Sequence, residues 1–360
     1  MRLGLSLAIL GFMLSAPNAA EAGWQEDWER VLKAAKQEGK VSVLGPREAQ
    51  ARDVLTEPFR KKYGIDVEFI GGSGREIAPR LTTERQASQY LWDVYVGGTT
   101  TGLTAIIPMG AADPVEPALI LPEVKDPKYW RGGAHDFADP GRLQLVFSPY
   151  HRGTIFYNKN LVAAAEFKSH RDLLDPKWRG KMVMDDPRKP GPGQATFTFF
   201  YLHPQLGPDF IRALGKQEIT NLRDFSQEVD AVGQGRYPVL IGASDATAKF
   251  RIKQGVPVDI VPATQLKEGT DVSPANGALI LINRAPHPNA AKVFINWLLS
   301  AEAQNSFARA MAYVSGRLDV PAGHLEPWRI PLPGAIKTYD LEAIKAKGPL
   351  VEVLQEAFGR

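Results

Sequence analysis

The side chains of this 360-residue chain that could engage a partner chemically are hydroxyls, guanidinium groups and carboxylates gathered at turns. Ser73, Thr99, Thr100, Ser244 and Thr247 offer hydroxyl donors, while Arg47, Arg75 and Arg152 offer forked guanidinium groups that can pair bidentately with a carboxylate or phosphate. Gly71-Gly72-Ser73-Gly74 adds a turn at which the backbone itself can approach a ligand. If a helix starts there, its free N–H groups and positive dipole end favour an anion. The same arginines could instead pair with Glu48, Glu76 and Asp186, leaving only solvated or salt-bridged turns. Asp185, Asp186 and Asp245 argue against a purely anionic ligand and could hold an ammonium group, so an amino acid-like zwitterion or a polyamine remains open.

Reaction chemistry has much less support. The chain has no G-x-S-x-G, no H-E-x-x-H and no Walker loop. His135, His151, His170, His203, His287 and His324 are scattered without metal-ligand spacing, and nothing calls for a cofactor. An exported enzyme with Asp185 or Asp186 as a base near His151 is the competing class, and it lacks an activated nucleophile.

The turns belong to elements that can be read from hydrophobic periodicity. Trp24, Trp28, Val31, Leu32 and Ala35 mark a first helix that Gly39 ends. Strands are predicted at Val41–Leu44, Val67–Ile70 and Trp92–Val96, separated by helices through Val54, Leu55, Phe59 and Tyr63 and from Glu76 to about Ala87. Pro58 should kink or break the first of these. This alternation predicts an α/β layer with a mainly parallel sheet. Its strand ends at Pro46-Arg47-Glu48, Gly71 to Arg75 and Gly97 to Thr101 would converge on one edge, where such sheets bind ligands. Pro108 to Arg142 reads as a surface excursion. After a crossing near Pro149–Gly153, a second α/β lobe is predicted from strands at Lys181–Met184, Val239–Ala243 and Val258–Val261, with turns at Asp185–Gly193 and Ser244–Thr247. Asn276–Ile282 would return the chain to the helices Pro288–Ser300 and Ala301–Met311.

The N-terminus, with Arg2, an apolar run Leu3–Leu14 and Ala20-Glu21-Ala22, reads as a secretory leader cleaved after Ala22. That run is about a dozen residues, short of the about 20 a transmembrane helix needs. The chain has no cysteine, so neither a disulfide framework nor a lipid-anchored N-terminus is expected. A net charge of +3 without a basic block argues against nucleic acid. The expected division is 1–22 leader, 23–150 first lobe, 151–275 second lobe and 276–360 return to the first lobe with C-terminal helices.

Seven segments, in order, resemble the bacterial extracellular solute-binding proteins of ABC importers: Trp28–Val43 (WERVLKAAKQEGKVSV), Phe59–Gly74 (FRKKYGIDVEFIGGSG), Trp92–Thr101 (WDVYVGGTTT), Gly153–Asn158 (GTIFYN), Trp178–Met182 (WRGKM), Asn276–Leu281 (NGALIL) and Ala285–Gln304 (APHPNAAKVFINWLLSAEAQ). The resemblance covers most of the mature chain and lies in the branch with ferric-ion, thiamine, phosphonate and sugar-phosphate binders. It implies a type 2 periplasmic-binding fold, with two α/β lobes closing by a hinge on a solute, and docking of the closed form on an inner-membrane permease. It also implies a monomeric periplasmic binder, not an enzyme, although a periplasmic sensor would bind in the same way. Ferric-binding relatives use an adjacent tyrosine pair at a second-lobe strand-to-helix turn. Here that turn reads Ser244-Asp245-Ala246-Thr247, and the first-lobe loop where an acid would help reads Gly98-Thr99-Thr100-Thr101. The expected ligand is therefore a small organic anion held among Arg47, Ser73, Gly74, Arg75, Thr99, Thr100, Arg152, Asp186, Ser244 and Asp245, with a ferric ion or ferric–anion complex as the alternative. The segment from about Asp319 to Arg360 is not typical of the family.

Overall fold

A computed structural model describes residues 19–189 and 191–359, with side chains in the first helix described from Gly23 onward. The leader read from Arg2 to Leu14 lies outside the described residues. Among them, no helix is long and apolar enough to cross a membrane.

Six strands open the chain: β1 (Lys40–Gly45), β2 (Asp66–Gly71), β3 (Val94–Gly97), β4 (Ala112–Asp113), β5 (Asp136–Phe137) and β6 (Gln144–Val146). The crossing strand β7 (Tyr150–His151) follows, then β8 (Ile155–Asn158), β9 (Met182–Asp185), β10 (Thr220–Leu222), β11 (Val239–Ile241) and β12 (Val258–Ile260). The return uses β13 (Val272–Ser273) and β14 (Ala278–Ile282). They form a first sheet in the order β2-β1-β3-β14-β6-β5, with β4 on β14, and a second sheet β10-β9-β11-β8-β12. A separate two-stranded ladder, β7 against β13, pairs His151 with Val272 and Tyr150 with Ser273 where the chain passes between the lobes.

Pairing is more mixed than the sequence alternation suggests. Parallel pairs join β1 to β2 and β3, and β9 to β10 and β11. The strands adjoining the crossings are antiparallel to their neighbours: β14 runs against β3 and β6, and β8 runs against β11 and β12. A strand that enters its sheet from the cleft runs opposite to strands that end there, which explains the reversal.

The first-lobe core joins Val31 and Ala35 of the helix Ala19–Glu38, Leu55 and Phe59 of Ala49–Tyr63, and Phe294 and Trp297 of Pro288–Leu298. The Phe59 ring lies 5.2 Å from both Phe294 and Trp297. The helix Ala49–Tyr63 continues through Pro58, so the expected break does not occur.

The C-terminal segment departs from the expected return to the first lobe. Arg317, fully buried, stacks on Trp130 in the first lobe, whereas Trp328 packs into the second-lobe core. Tyr339 then lies in a first-lobe cluster, and the last helix, Leu341–Phe358, buries Leu350, Val353, Leu354 and Phe358 in the second lobe with Phe197 and Phe210. Its apolar stripe needs a partner surface, and the second lobe supplies it.

Candidate functional site

The ends of β1, β2 and β3 meet in a cavity of about 220 Å³ lined by Arg47, Glu48, Ser73, Gly74, Gly97, Gly98, Thr101 and Asn276, among others. The helix Gly74–Gln86 begins here, and a Cβ on Gly74 would collide with the Thr101 hydroxyl. The anion at this helix start belongs to the chain itself. Glu76 Oε2 accepts from the Ser73 backbone N–H at 2.7 Å, the Ser73 hydroxyl at 2.8 Å and Arg47 Nη2 at 3.0 Å. The Ser73 N–H, its hydroxyl and then Arg47 hold the Glu76 carboxyl below its usual range. Arg75 is exposed and outside the cavity lining. Thr99 is buried and Thr100 exposed, and neither lines the cavity; Thr101, not singled out from sequence as a ligand, does.

A larger cavity of about 550 Å³ shares Glu48 with the first and continues between the lobes. The crossing segments contribute Tyr150, Arg152 and Ser273; the second lobe contributes Pro192, Ser244, Asp245, Lys249, Phe250 and Lys253; the first lobe contributes Met311, Ala312 and Tyr313. Arg329 reaches the lining from the C-terminal segment. Tyr150 and Tyr313 stack face to face, with centroids 5.3 Å apart and planes at 16°. Burial pushes both phenols upward, Tyr313 to about 12, so each remains protonated.

Ion pairs inside the chain fix these groups. Arg152 reaches the fully buried Asp271 at 3.3 Å and the Pro192 carbonyl at 3.4 Å. Burial works against its charge, but Asp271 and Asp245 outweigh it and raise the Arg152 pKa. Asp245 accepts from the Gly153 N–H at 3.2 Å and lies 3.5 Å from Arg329. Ser244 caps the helix Asp245–Lys253 through the Thr247 N–H at 3.4 Å. Asp186 does not line the cavity: it is buried against Arg188 at 2.8 Å and Arg223 at 3.3 Å. Its neighbour Asp185 takes the Gly193 N–H at 2.7 Å, where the helix Pro192–Leu202 begins. Gly193 is required there, because a Cβ would collide with the Asp185 backbone carbonyl.

Arg152, Ser244 and Asp245 are thus brought together in the larger cavity, and Arg47, Ser73 and Gly74 in the smaller. Sequence reasoning passed over Tyr150, Tyr313, Lys249, Lys253 and Arg329. The two lysines carried a signal, since a four-residue spacing after the Ser244 cap puts them on one helix face. Arg329, far along the chain in an atypical segment, carried none. Four cations of the larger cavity (Arg152, Lys249, Lys253 and Arg329) outnumber its carboxylates, Glu48 and Asp245. Among the described residues, no group of three or more His, Asp or Glu could hold a metal ion.

The sequence profile of a family described as "Bacterial extracellular solute-binding protein" matches residues 55–328. An uncharacterized protein of Haemophilus influenzae is 25% identical over 291 residues, covering 76% of this chain and 77% of the relative. A Trichodesmium protein (IdiA, FutA), solved in complex with iron and citrate, superposes with a TM-score of 0.70 at 20% identity, covering 89% of this chain and 100% of that one. The periplasmic binding protein AfuA of Actinobacillus pleuropneumoniae, solved with fructose-6-phosphate, gives 0.59 at 18% identity, covering 89% and 99%.

Proposed function

Because this chain belongs to the bacterial extracellular solute-binding protein family, we propose that its interlobe cleft captures a small organic anion, such as a carboxylate or phosphorylated compound. Its role is that of the periplasmic solute-binding component of an ABC importer, which hands its solute to a membrane permease. Export through a leader ending at Ala22 and action as a monomer are part of the same reading. The observation that carries the anionic ligand is the excess of cations over carboxylates in the larger cavity. Lys253 has no ion pair among the described residues and Lys249 only a long one, to Glu326 at 3.6 Å, so both can turn toward a solute; Ser244 adds a hydroxyl and the stacked tyrosines offer an apolar wall. Arg47, Ser73, Gly74 and Thr101 would meet the solute from the first lobe.

A ferric–anion complex is the second reading, favoured by the paired phenols at the cleft and by the iron and citrate bound to the Trichodesmium protein. Phenolate oxygen suits hard Fe(III), but burial here holds both protons on, so iron would have to displace them. Native mass spectrometry with metal analysis of chain purified from a periplasm without chelator separates the two. A metal-free adduct of a few hundred daltons supports the organic anion, and stoichiometric iron replaces it with the second reading.

A further inference from the structure

At the end of the first lobe away from the cleft, Arg85 and Arg284 converge on a cavity of about 380 Å³. The helix Gly74–Gln86 starts at the cleft and delivers Arg85 in its last turn, while β14 starts beside Gly97 and delivers Arg284 just beyond Ile282. Both guanidinium groups lie over the Tyr90 ring, Arg85 at 5.3 Å and Arg284 at 4.9 Å from its centroid. Their polar contacts are neutral. Arg85 donates to the Asn283 carbonyl at 2.9 Å and side-chain oxygen at 2.6 Å, and Arg284 donates to the Tyr90 hydroxyl. Asn283 is itself anchored to the Gly110 carbonyl at 2.6 Å. Neither arginine forms an ion pair among the described residues, and the buried Arg85 Nε has no hydrogen-bond partner there. Nearby Glu84 is spent on Arg80 and the Trp92 indole.

We infer that this cavity is a second anion site, built to hold a small dianionic oxyanion between the two guanidinium groups. Two cations fixed on one ring repel each other, and Arg85 is also partly desolvated; a phosphate or dicarboxylate supplies the missing charge and matches the fork geometry of both. Gln86 on the same helix face supplies a neutral donor at the rim, which Thr82, its hydroxyl donated to the Ala78 carbonyl at 2.8 Å, also lines. The site is separate from the interlobe cleft and does not depend on what the cleft binds.

The test is calorimetric titration of the full chain with inorganic phosphate and with succinate at fixed ionic strength, in a Lys249→Ala/Lys253→Ala background that weakens anion binding in the cleft. Binding of at least one probe is expected in this background, weakened about tenfold or more by Arg284→Ala, in line with loss of one charge-assisted contact. Arg284 is exposed, and among the described residues its side-chain hydrogen bond and its ring contact are both to Tyr90, so this variant should fold and should leave cleft binding by the otherwise native chain unchanged. Arg85→Lys, which keeps charge but loses the fork, should weaken binding as well. Absence of binding by both probes in the Lys249→Ala/Lys253→Ala background, or equal affinities with and without Arg284, overturns the inference. Either result leaves the cleft reading untouched.

Discussion

Three carboxylates of this chain accept from backbone N–H groups at turns: Glu76 at Ser73, which lines the smaller cavity, and Asp185 at Gly193 and Asp245 at Gly153, which are buried. An anion at the smaller cavity must compete with Glu76 for the Ser73 donors. Glu76 is exposed and its bridge to Arg47 is solvated, so it is the one that can yield. Glu76→Gln is therefore expected to raise affinity for an anionic solute, as measured by calorimetry; lower affinity would assign Glu76 to ligand binding instead. Lys249→Ala should lower that affinity about tenfold through loss of one charge-assisted contact. Its thermal midpoint should stay near that of the native chain, since its one ion pair, to Glu326, is long at 3.6 Å. Deeper in the second lobe, Glu228 is fully buried, and neither of its carboxyl oxygens has a hydrogen-bond partner among the described residues. Burial, then the Asp185 charge, raises the Glu228 carboxyl to about 8. The folded chain thus keeps a proton that the unfolded chain releases above about pH 4.3. This contribution to stability is complete below that pH and declines as pH rises toward about 8. Glu228→Gln should flatten the fall of the thermal midpoint between about pH 5 and about pH 8; an unchanged slope would place the titration elsewhere.

Element by element, the chain announced itself unevenly. The strands and helices of the first βαβαβ layer were legible because their apolar periods are regular and glycine marks their ends. Of the kink or break expected at Pro58, the break does not occur, because the buried stripe of Ala51, Leu55 and Phe59 holds the helix against the core despite the lost hydrogen bond. Sequence placed Arg152, Ser244 and Asp245 at turns, but could not show that Asp186 is consumed by Arg188 and Arg223, a pairing made by folding. The C-terminal segment was the least legible, because its partners are distant. Arg329 donates to the His151 carbonyl at 3.3 Å, the Leu332 N–H donates to His151 Nε2 at 3.2 Å, and the Val272 N–H donates to the Ile336 carbonyl at 2.9 Å. It therefore lies along the β7–β13 ladder as a further link between the lobes. The helix that ends it is part of the second-lobe core, so Leu354→Ala should cost about 2–5 kcal/mol, read by denaturant titration. A cost near zero would show that Leu341–Phe358 is dispensable.

At the scale of the whole molecule, Phe250 of the second lobe, 58% exposed, and Met311 of the first face the same cavity. Solute binding should bring them together, and small-angle scattering should register a smaller radius of gyration on saturation. No change at saturation would mean that the described arrangement is already the bound one.

The position of β14 bears on how the chain is made. It lies between β3 and β6 in the first sheet, yet it follows every strand of the second sheet in the sequence. A nascent chain thus cannot finish the first lobe until the second has emerged, and the second waits for Leu341–Phe358, the last helix of all. Both lobes can be completed only when synthesis is nearly over, and native contacts that join residues so far apart in sequence predict slow folding. Under the proposed export through a leader ending at Ala22, this order of assembly would leave the chain without its native lobes while it crosses the membrane.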